Sequence, residues 1–225
     1  MGVLKKLIFR MKKAVAYLTL STTSVSATWS PQTVTNTGAT LTWDVSGDIA
    51  PTSQNVDDPT FDLSANTGTV NMNVYDVGGL TQLYIYSLNI SNLNITEATA
   101  LTSLYCYSNS LTALNVSTNT TLIALYCNSN SLTALDVSTN TALTRLYCYS
   151  NSLTTLNVST NTALTDLQCQ LNSFSDTVTN SILASLVAHN KSNGTLHYRN
   201  NETGQGITDR ETLVTRGWTI INYTT

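Results

Sequence analysis

Leucine, cysteine and valine return at fixed places along the middle of this chain. From Leu101 to Thr121 the apolar positions are Leu101, Leu104, Cys106, Leu111, Leu114 and Val116. The same spacing restarts at Leu122, at Leu143 and, decaying, at Leu164, a period of 21 residues. Leu104-Tyr105-Cys106-Tyr107 alternates, which predicts a short strand with Leu104 and Cys106 facing in and the two tyrosines facing out. Asn109 ends that strand. A buried amide there can bond the free backbone groups of a turn, and the same amide one coil away can continue the ladder. Leu111, Leu114 and Val116 line the return side, and Ser117 to Thr120 form a polar turn into the next block. A unit this short cannot bury its apolar face alone, so the blocks stack into a solenoid.

The pattern extends upstream in altered form. Leu80, Leu83, Ile85, Ile90, Leu93 and Ile95 sit one period earlier, with Leu88 where the ladder asparagine belongs. Met72 and Val74 match only the return half of a still earlier coil. Before that, residues 39–45 and 69–75 alternate like strands, and Gly47-Asp48, Pro51 and Pro59 punctuate loops. After the repeats, Val178, Ile182, Leu183, Leu186 and Val187 have helical spacing, which predicts a helix from Asp176 to His189 capped by Ser175 or Asp176. Thr195 to Tyr198 reads as a strand. Thr208 to Arg216 reads as a second helix, capped by Thr208 or Asp209 and ended by Gly217, and Trp218 to Tyr223 as a last strand. The expected organisation is a leader at 1–27, a β-rich cap at 28–76, repeats at 77–175 and an α/β cap at 176–225.

The signature Leu-x-x-Leu-x-Cys-x-x-Asn-x-Leu at Leu101, Leu122 and Leu143, and in part at Leu164, resembles the leucine-rich repeat family. The cysteine and the Leu-Asp/Asn-Val-Ser-x-Asn-Thr return segment are most similar to internalin-J-type repeats and to related repeats of Bacteroidetes surface proteins and their phages. The resemblance implies a right-handed α/β solenoid dominated by β structure, with parallel strands on a concave face. It also implies non-catalytic recognition of a protein or glycan.

Cys106, Cys127, Cys148 and Cys169 fall one period apart. In adjacent coils they lie ~4.8 Å apart, with parallel Cβ vectors that do not give a disulfide its dihedral angle. A straight file cannot converge on zinc tetrahedrally, so the thiols are expected to pack the core. Facing outward, Tyr84, Tyr105, Tyr126 and Tyr147 form one file ending in Gln168. Tyr86, Tyr107 and Tyr149 form the next, with Asn128 and Gln170 in the gaps. Beside them runs a file of varied chemistry: Gln82, Ser103, Ala124, Arg145 and Asp166. Tyrosine offers large rigid contact area with a polar tip, so Tyr84, Tyr86, Tyr105, Tyr107, Tyr126, Asn128, Arg145, Tyr147, Tyr149, Asp166, Gln168 and Gln170 are the candidate ligand-binding residues. Tyrosine also suits strands for structural reasons, and stacked pairs stabilise a sheet by roughly 0.2–1 kcal/mol each.

Charge narrows the partners. Charged residues are 10% of the 225, and Lys5, Lys6, Arg10, Lys12 and Lys13 are half of the 10 basic ones. The acidic remainder is a poor match for a phosphate backbone, which excludes nucleic acid as a partner. Lys12-Lys13, then Ala14 to Leu20, then Val25-Ser26-Ala27 fit a secretory signal cleaved after Ala27; the alternative is an uncleaved arm that packs on a partner. No run reaches the ~20 apolar residues of a membrane span. The histidines His189 and His197 lack an identifiable nucleophile, and no phosphate-binding or dinucleotide motif occurs. Glu202, Asp209 and Glu211 form no recognisable acid–base pair, and Asp57, Asp58 and Asp62 lack calcium-loop spacing. No catalytic residue, metal or cofactor is therefore expected. The reading is an extracellular or cell-surface recognition module for a protein or glycan. Its alternative is a structural, decoration or fibre subunit in a larger assembly such as a phage virion, with neighbouring subunits as partners.

Overall fold

The computed structural model describes residues 79–199 and 202–223 with their side chains, and the strands at 17–22, 32–35, 42–47, 52–55 and 70–75 as backbone. The basic segment at 5–13, the cleavage position at Ala27 and the carboxylates Asp57, Asp58 and Asp62 lie outside the described residues.

Seven parallel strands follow one another in chain order: β6 (Leu80–Tyr84), β8 (Ser103–Tyr105), β9 (Ala124–Tyr126), β10 (Arg145–Tyr147), β11 (Asp166–Gln168), β12 (Thr195–Arg199) and β13 (Thr219–Tyr223). An antiparallel strand, β2 (Gln32–Thr35), joins β6 at the far edge. The register follows the repeat, with Leu83 on Leu104, Leu104 on Leu125, Leu125 on Leu146 and Leu146 on Leu167. The ladder continues past each strand end, as in Cys106 N–H to Tyr126 O at 2.9 Å and Ser108 N–H to Asn128 O at 3.0 Å. The return sides are laddered too, Ser131 N–H to Leu111 O at 2.8 Å and Ser152 N–H to Leu132 O at 2.9 Å. The fold is thus a β-dominated α/β solenoid, its core filled by the repeat leucines and valines and by all four thiols. Each fully buried leucine contributes roughly 1.5–3 kcal/mol relative to exposure.

The thiols are free and buried. Burial pushes the Cys127 and Cys169 thiols up to about 12, and holds Cys106 and Cys148 well above the ordinary range. They are neutral packing groups at physiological pH.

Two asparagine ladders close the turns. Asn109 accepts from the Leu88 and Ile90 N–H groups at 3.0 and 2.9 Å and donates to Ile85 O and Cys106 O. Asn130, Asn151 and Asn172 repeat the arrangement one coil on each time. The turn residue before each amide, Ser108, Ser129, Ser150 or Leu171, is left-handed with φ of 53–56°. The second ladder stands on the opposite corner. Asn119, Asn140 and Asn161 are fully buried, and each donates to two carbonyls of the preceding coil at 2.8–3.0 Å.

The other sheet has five antiparallel strands in the order β4 (Thr52–Asn55), β3 (Thr42–Gly47), β5 (Val70–Tyr75), β1 (Tyr17–Thr22), β7 (Ile90–Asn94). Its last strand is the return side of the first coil. A half-coil through Met72 and Val74 would lie directly beside that return side. Instead β1 lies between β5 and β7, antiparallel to both.

At the other end, α1 (Asp176–Ala188) is capped by Ser175, which accepts from Val178 N–H. The second helix, α2, spans Gln205–Thr215 and starts at Gly204, not at Thr208 or Asp209. Gln205 Nε2 donates to the Asp209 carboxylate at 2.9 Å, one turn further on, so Asp209 serves inside the helix rather than before it. Trp218 is buried and donates to Lys191 O at 3.0 Å. Its ring lies where a Cβ on Gly194 would fall at 2.6 Å, which explains a glycine at that point.

His189 is buried under the last coil, with Nε2 3.4 Å from Ser159 O. Burial lowers its pKa, against backbone oxygens that raise it. The unfolded chain binds that proton more readily, so stability is full above the unfolded value of ~6.5 and falls as pH drops toward the folded one. Urea midpoints taken from pH 8 down to about 5 should decline, and His189→Gln should flatten that part of the curve. Parallel wild-type and variant profiles would refute the assignment.

Candidate functional site

The strand register sets the outward face of the seven parallel strands. Side chains two apart on one strand share a face, and the coil repeat puts like positions beside each other. The structure accordingly brings Tyr84, Tyr105, Tyr126, Tyr147 and Gln168 into one file, and Gln82, Ser103, Ala124, Arg145 and Asp166 into its neighbour.

The rings do not lie flat. Tyr84 and Tyr105 stack with centroids 4.5 Å apart at 11°, Tyr105 and Tyr126 at 4.5 Å and 8°, and Tyr86 and Tyr107 at 4.7 Å and 1°. Each ring covers its neighbour's face, so the file presents edges and hydroxyls. The stack breaks at Tyr147, which meets Tyr126 at 4.6 Å and 75°. The cause is a hydrogen bond: Tyr147 donates its hydroxyl to Asp166 Oδ2 at 2.6 Å, which turns the ring toward β11. Burial, and then that carboxylate, raise the Tyr147 pKa; burial likewise raises Tyr84, Tyr107 and Tyr126. Tyr84, Tyr107, Tyr126 and Tyr147 are therefore neutral at physiological pH.

The predicted residues are not equally placed. Tyr86 and Arg145 are exposed, and Tyr84, Tyr105, Tyr107, Tyr126, Tyr147, Tyr149, Asp166 and Gln168 are half-buried. Asn128 and Gln170 are only 5% exposed, so the gaps in the second file are covered over and offer little contact area. The face also runs further than the repeats. Gln168 pairs with His197 and His197 with Ile221, which extends the tyrosine file into the cap, while Arg199 pairs with Tyr223 beside it. His197 Nδ1 lies 3.3 Å from the Tyr223 hydroxyl. His197, Arg199 and Tyr223 thus join the face although the repeat pattern stops before them. A signal did exist: Thr195 to Tyr198 alternates as a strand.

The face changes along its length. Its first coils are tyrosine with neutral companions, and its last carry Arg145, Asp166, His197 and Arg199. It is open rather than pocketed. A hollow of about 600 Å³ lies on the return side beside α1, near Asp136, Asn157, Ser159 and Val178, and includes none of the predicted residues. Among the described residues no cluster of His, Cys, Asp and Glu could hold a metal ion, and no helix is long and apolar enough to cross a membrane.

No protein-family model and no curated protein matches the chain. Among solved structures it is similar to the functional domain of InlJ from Listeria monocytogenes, which includes a cysteine ladder. That likeness has 33% identity and a TM-score of 0.53, and covers 71% of this chain and 32% of that one. The chain therefore spans about a third of the length of that domain. An internalin, InlF, from Listeria monocytogenes is 18% identical over 58% of this chain and 37% of its own, with a TM-score of 0.48. A Shigella effector leucine-rich repeat domain is 20% identical over 64% and 81%, with a TM-score of 0.35. The first likeness agrees with what the coils show one by one, each carrying its leucines, its inward thiol and its ladder asparagine in fixed places, and the chain is a leucine-rich repeat protein.

Proposed function

We propose that this chain is a non-enzymatic recognition module that acts outside the cell and binds a protein partner through the outward face of its parallel sheet. The supporting observation is the pair of tyrosine files, set on a rigid laddered backbone and flanked by the varied file from Gln82 to Asp166. Half-buried tyrosines give large contact area at low entropy cost, and neutral hydroxyls at one-coil spacing suit the polar groups of a protein surface. A sugar ring docks best on an exposed aromatic face. Here neighbouring rings cover one another, which favours a protein over a glycan. The charged end from Arg145 to Arg199 sets orientation, since charge complementarity fixes register more than it adds affinity.

The test compares three proteins in a binding screen against displayed extracellular proteins and a glycan array: the wild type, a variant with Tyr105, Tyr126 and Tyr147 replaced by Ser, and a return-side variant with Thr112, Thr133 and Thr154 replaced by Ala. Interface aromatics carry ~2 kcal/mol or more each when they anchor a contact, so the serine variant should bind at least about 30-fold more weakly. The alanine variant should bind like wild type. Equal binding by all three would end the proposal.

A second reading, a structural subunit of an assembly such as a virion, is favoured by β13. Among the described residues that strand ends the sheet with one side unpaired, and Ile221 and Tyr223 on it are exposed. An open edge of this kind is a template for strand addition. A concentration-dependent oligomer lost with Ile221→Lys would support this reading over the first.

A further inference from the structure

The segment from Ala14 to Leu20 has the composition of a signal-peptide core, yet Tyr17–Thr22 forms β1, an interior strand of the N-terminal sheet. We infer that Tyr17–Thr22 is a permanent strand of the mature protein, and that any N-terminal processing stops before Tyr17 rather than after Ala27. Two independent lines support this.

The first is topology. β1 pairs along both sides, with β5 from Tyr17 to Thr22 and with β7 from Thr19 to Thr22. Cleavage after Ala27 would leave β5 and β7 facing an empty strand position, each with a row of unpaired N–H and C=O groups. Such edges are what native sheets cover, bulge or charge to avoid pairing with other chains. Since β7 is the return side of the first coil, the exposed edge would open directly onto the solenoid core through Leu93.

The second is the match of sequence to register. One row across the sheet is Trp43, Val74, Leu18, and another is Val45, Met72, Leu20, Leu93. The rows that alternate with them are Asp44, Asn73, Thr19, Asn94 and Ser46, Asn71, Ser21, Asn92. In this register Leu18 and Leu20 stand in apolar rows and Thr19 and Ser21 in polar ones, while Thr22, past a bulge, stands with Val70 and Ile90. A slip of one residue would put every leucine in a polar row. In β7 the apolar row ends on buried Leu93, while Asn92 of the polar row is exposed. A signal core needs only average hydrophobicity. Alternation in phase with two neighbouring strands, as from Leu18 to Ser21, is what an amphipathic strand needs.

The inference does not depend on what the solenoid face binds, and it is tested on the full chain. In hydrogen-exchange mass spectrometry, amides of Tyr17–Thr22 should exchange at least about 100-fold more slowly than in a free peptide, on the scale of Val70–Tyr75. Leu20→Asp should abolish that protection while Thr19→Asp keeps it. Intact mass and N-terminal sequencing of the native protein should find Tyr17–Thr22 present, whether or not residues before Tyr17 have been removed. Free-peptide exchange at 17–22 beside a protected Val70–Tyr75, or a native N-terminus at Thr28, would overturn the inference.

Discussion

Asn130→Ala should lower the stability of the chain by about 2–4 kcal/mol, because one amide serves four backbone groups and an unsatisfied buried group costs about 1–3 kcal/mol. Asn130 accepts from the Leu111 N–H at 3.0 Å and donates to Cys106 O at 3.0 Å, Cys127 O at 3.1 Å and Asn128 O at 3.3 Å. It also holds a corner in which Ser129 is left-handed at φ 54°, a conformation costing about 1 kcal/mol or more for a residue with a Cβ. Alanine leaves that corner strained with nothing to fix it. Asn130→Asp separates the two halves of the role. The carboxylate can still accept from Leu111, but it places a negative charge against the carbonyls to which the amide donated. It should cost at least as much as alanine. Asn115 is the control, because its single turn bond, from the Ser117 N–H at 3.0 Å, is exposed and its loss should stay within about 0.5 kcal/mol. Urea unfolding followed by circular dichroism reads all three. If Asn130→Ala and Asn115→Ala shared a midpoint with wild type, the ladder would be decorative.

That ladder was legible in the sequence because its function is tied to a period. When Leu104, Cys106 and Asn109 recur at a constant interval, the only arrangement that buries every copy is an in-register stack, so fold, register and tyrosine files follow from spacing alone. What was hidden lacked a period or had two physical meanings. The run from Ala14 to Leu20 satisfies both a signal core and an amphipathic strand, and the pairing of Tyr17–Thr22 with β5 and β7 is a fact of register that composition does not carry. Asn119, Asn140 and Asn161 recur as faithfully as Asn109, but they sit in Ser-Thr-Asn-Thr runs, where composition says only that the chain turns. Their donor role appears once the preceding coil's carbonyls are in place.

The candidate face shows the same division. Its tyrosine files follow from the spacing. The stacking of the rings and the break at Tyr147 do not, since the break depends on a bond to Asp166 in the next strand. The continuation through His197 and Tyr223 was hidden because α1 lengthens the connection and the 21-residue interval ends. The start of α2 was misplaced because Thr208 and Asp209 are good caps, whereas the residue that opens the helix is Gly204.

The central leucine file sets the second large effect. Leu125→Ala should cost about 4–5 kcal/mol, in the upper half of the range for buried leucine truncation. Leu125 is fully buried and lies in register between Leu104 and Leu146. The cost of such a truncation depends on how far the walls can close on the cavity. Here they can close little, because the backbone on either side is fixed by hydrogen bonds to both neighbouring coils. Cys127 N–H bonds to Tyr147 O, and Cys106 N–H to Tyr126 O. Cys127→Ala removes a single sulfur from an adjacent file and should cost about 1 kcal/mol, near one buried methylene. Leu171, 59% exposed, should tolerate alanine within about 0.5 kcal/mol. Position in the array adds a further consequence. Coils contact only their neighbours, so a defect in a middle coil weakens the coupling between the two halves. Leu125→Ala should therefore lower the urea m-value as well as the midpoint, because the halves begin to unfold separately. A loss below about 1 kcal/mol with an unchanged m-value would mean that the coils slide to fill the space, and the rigidity assigned to the ladders would be wrong.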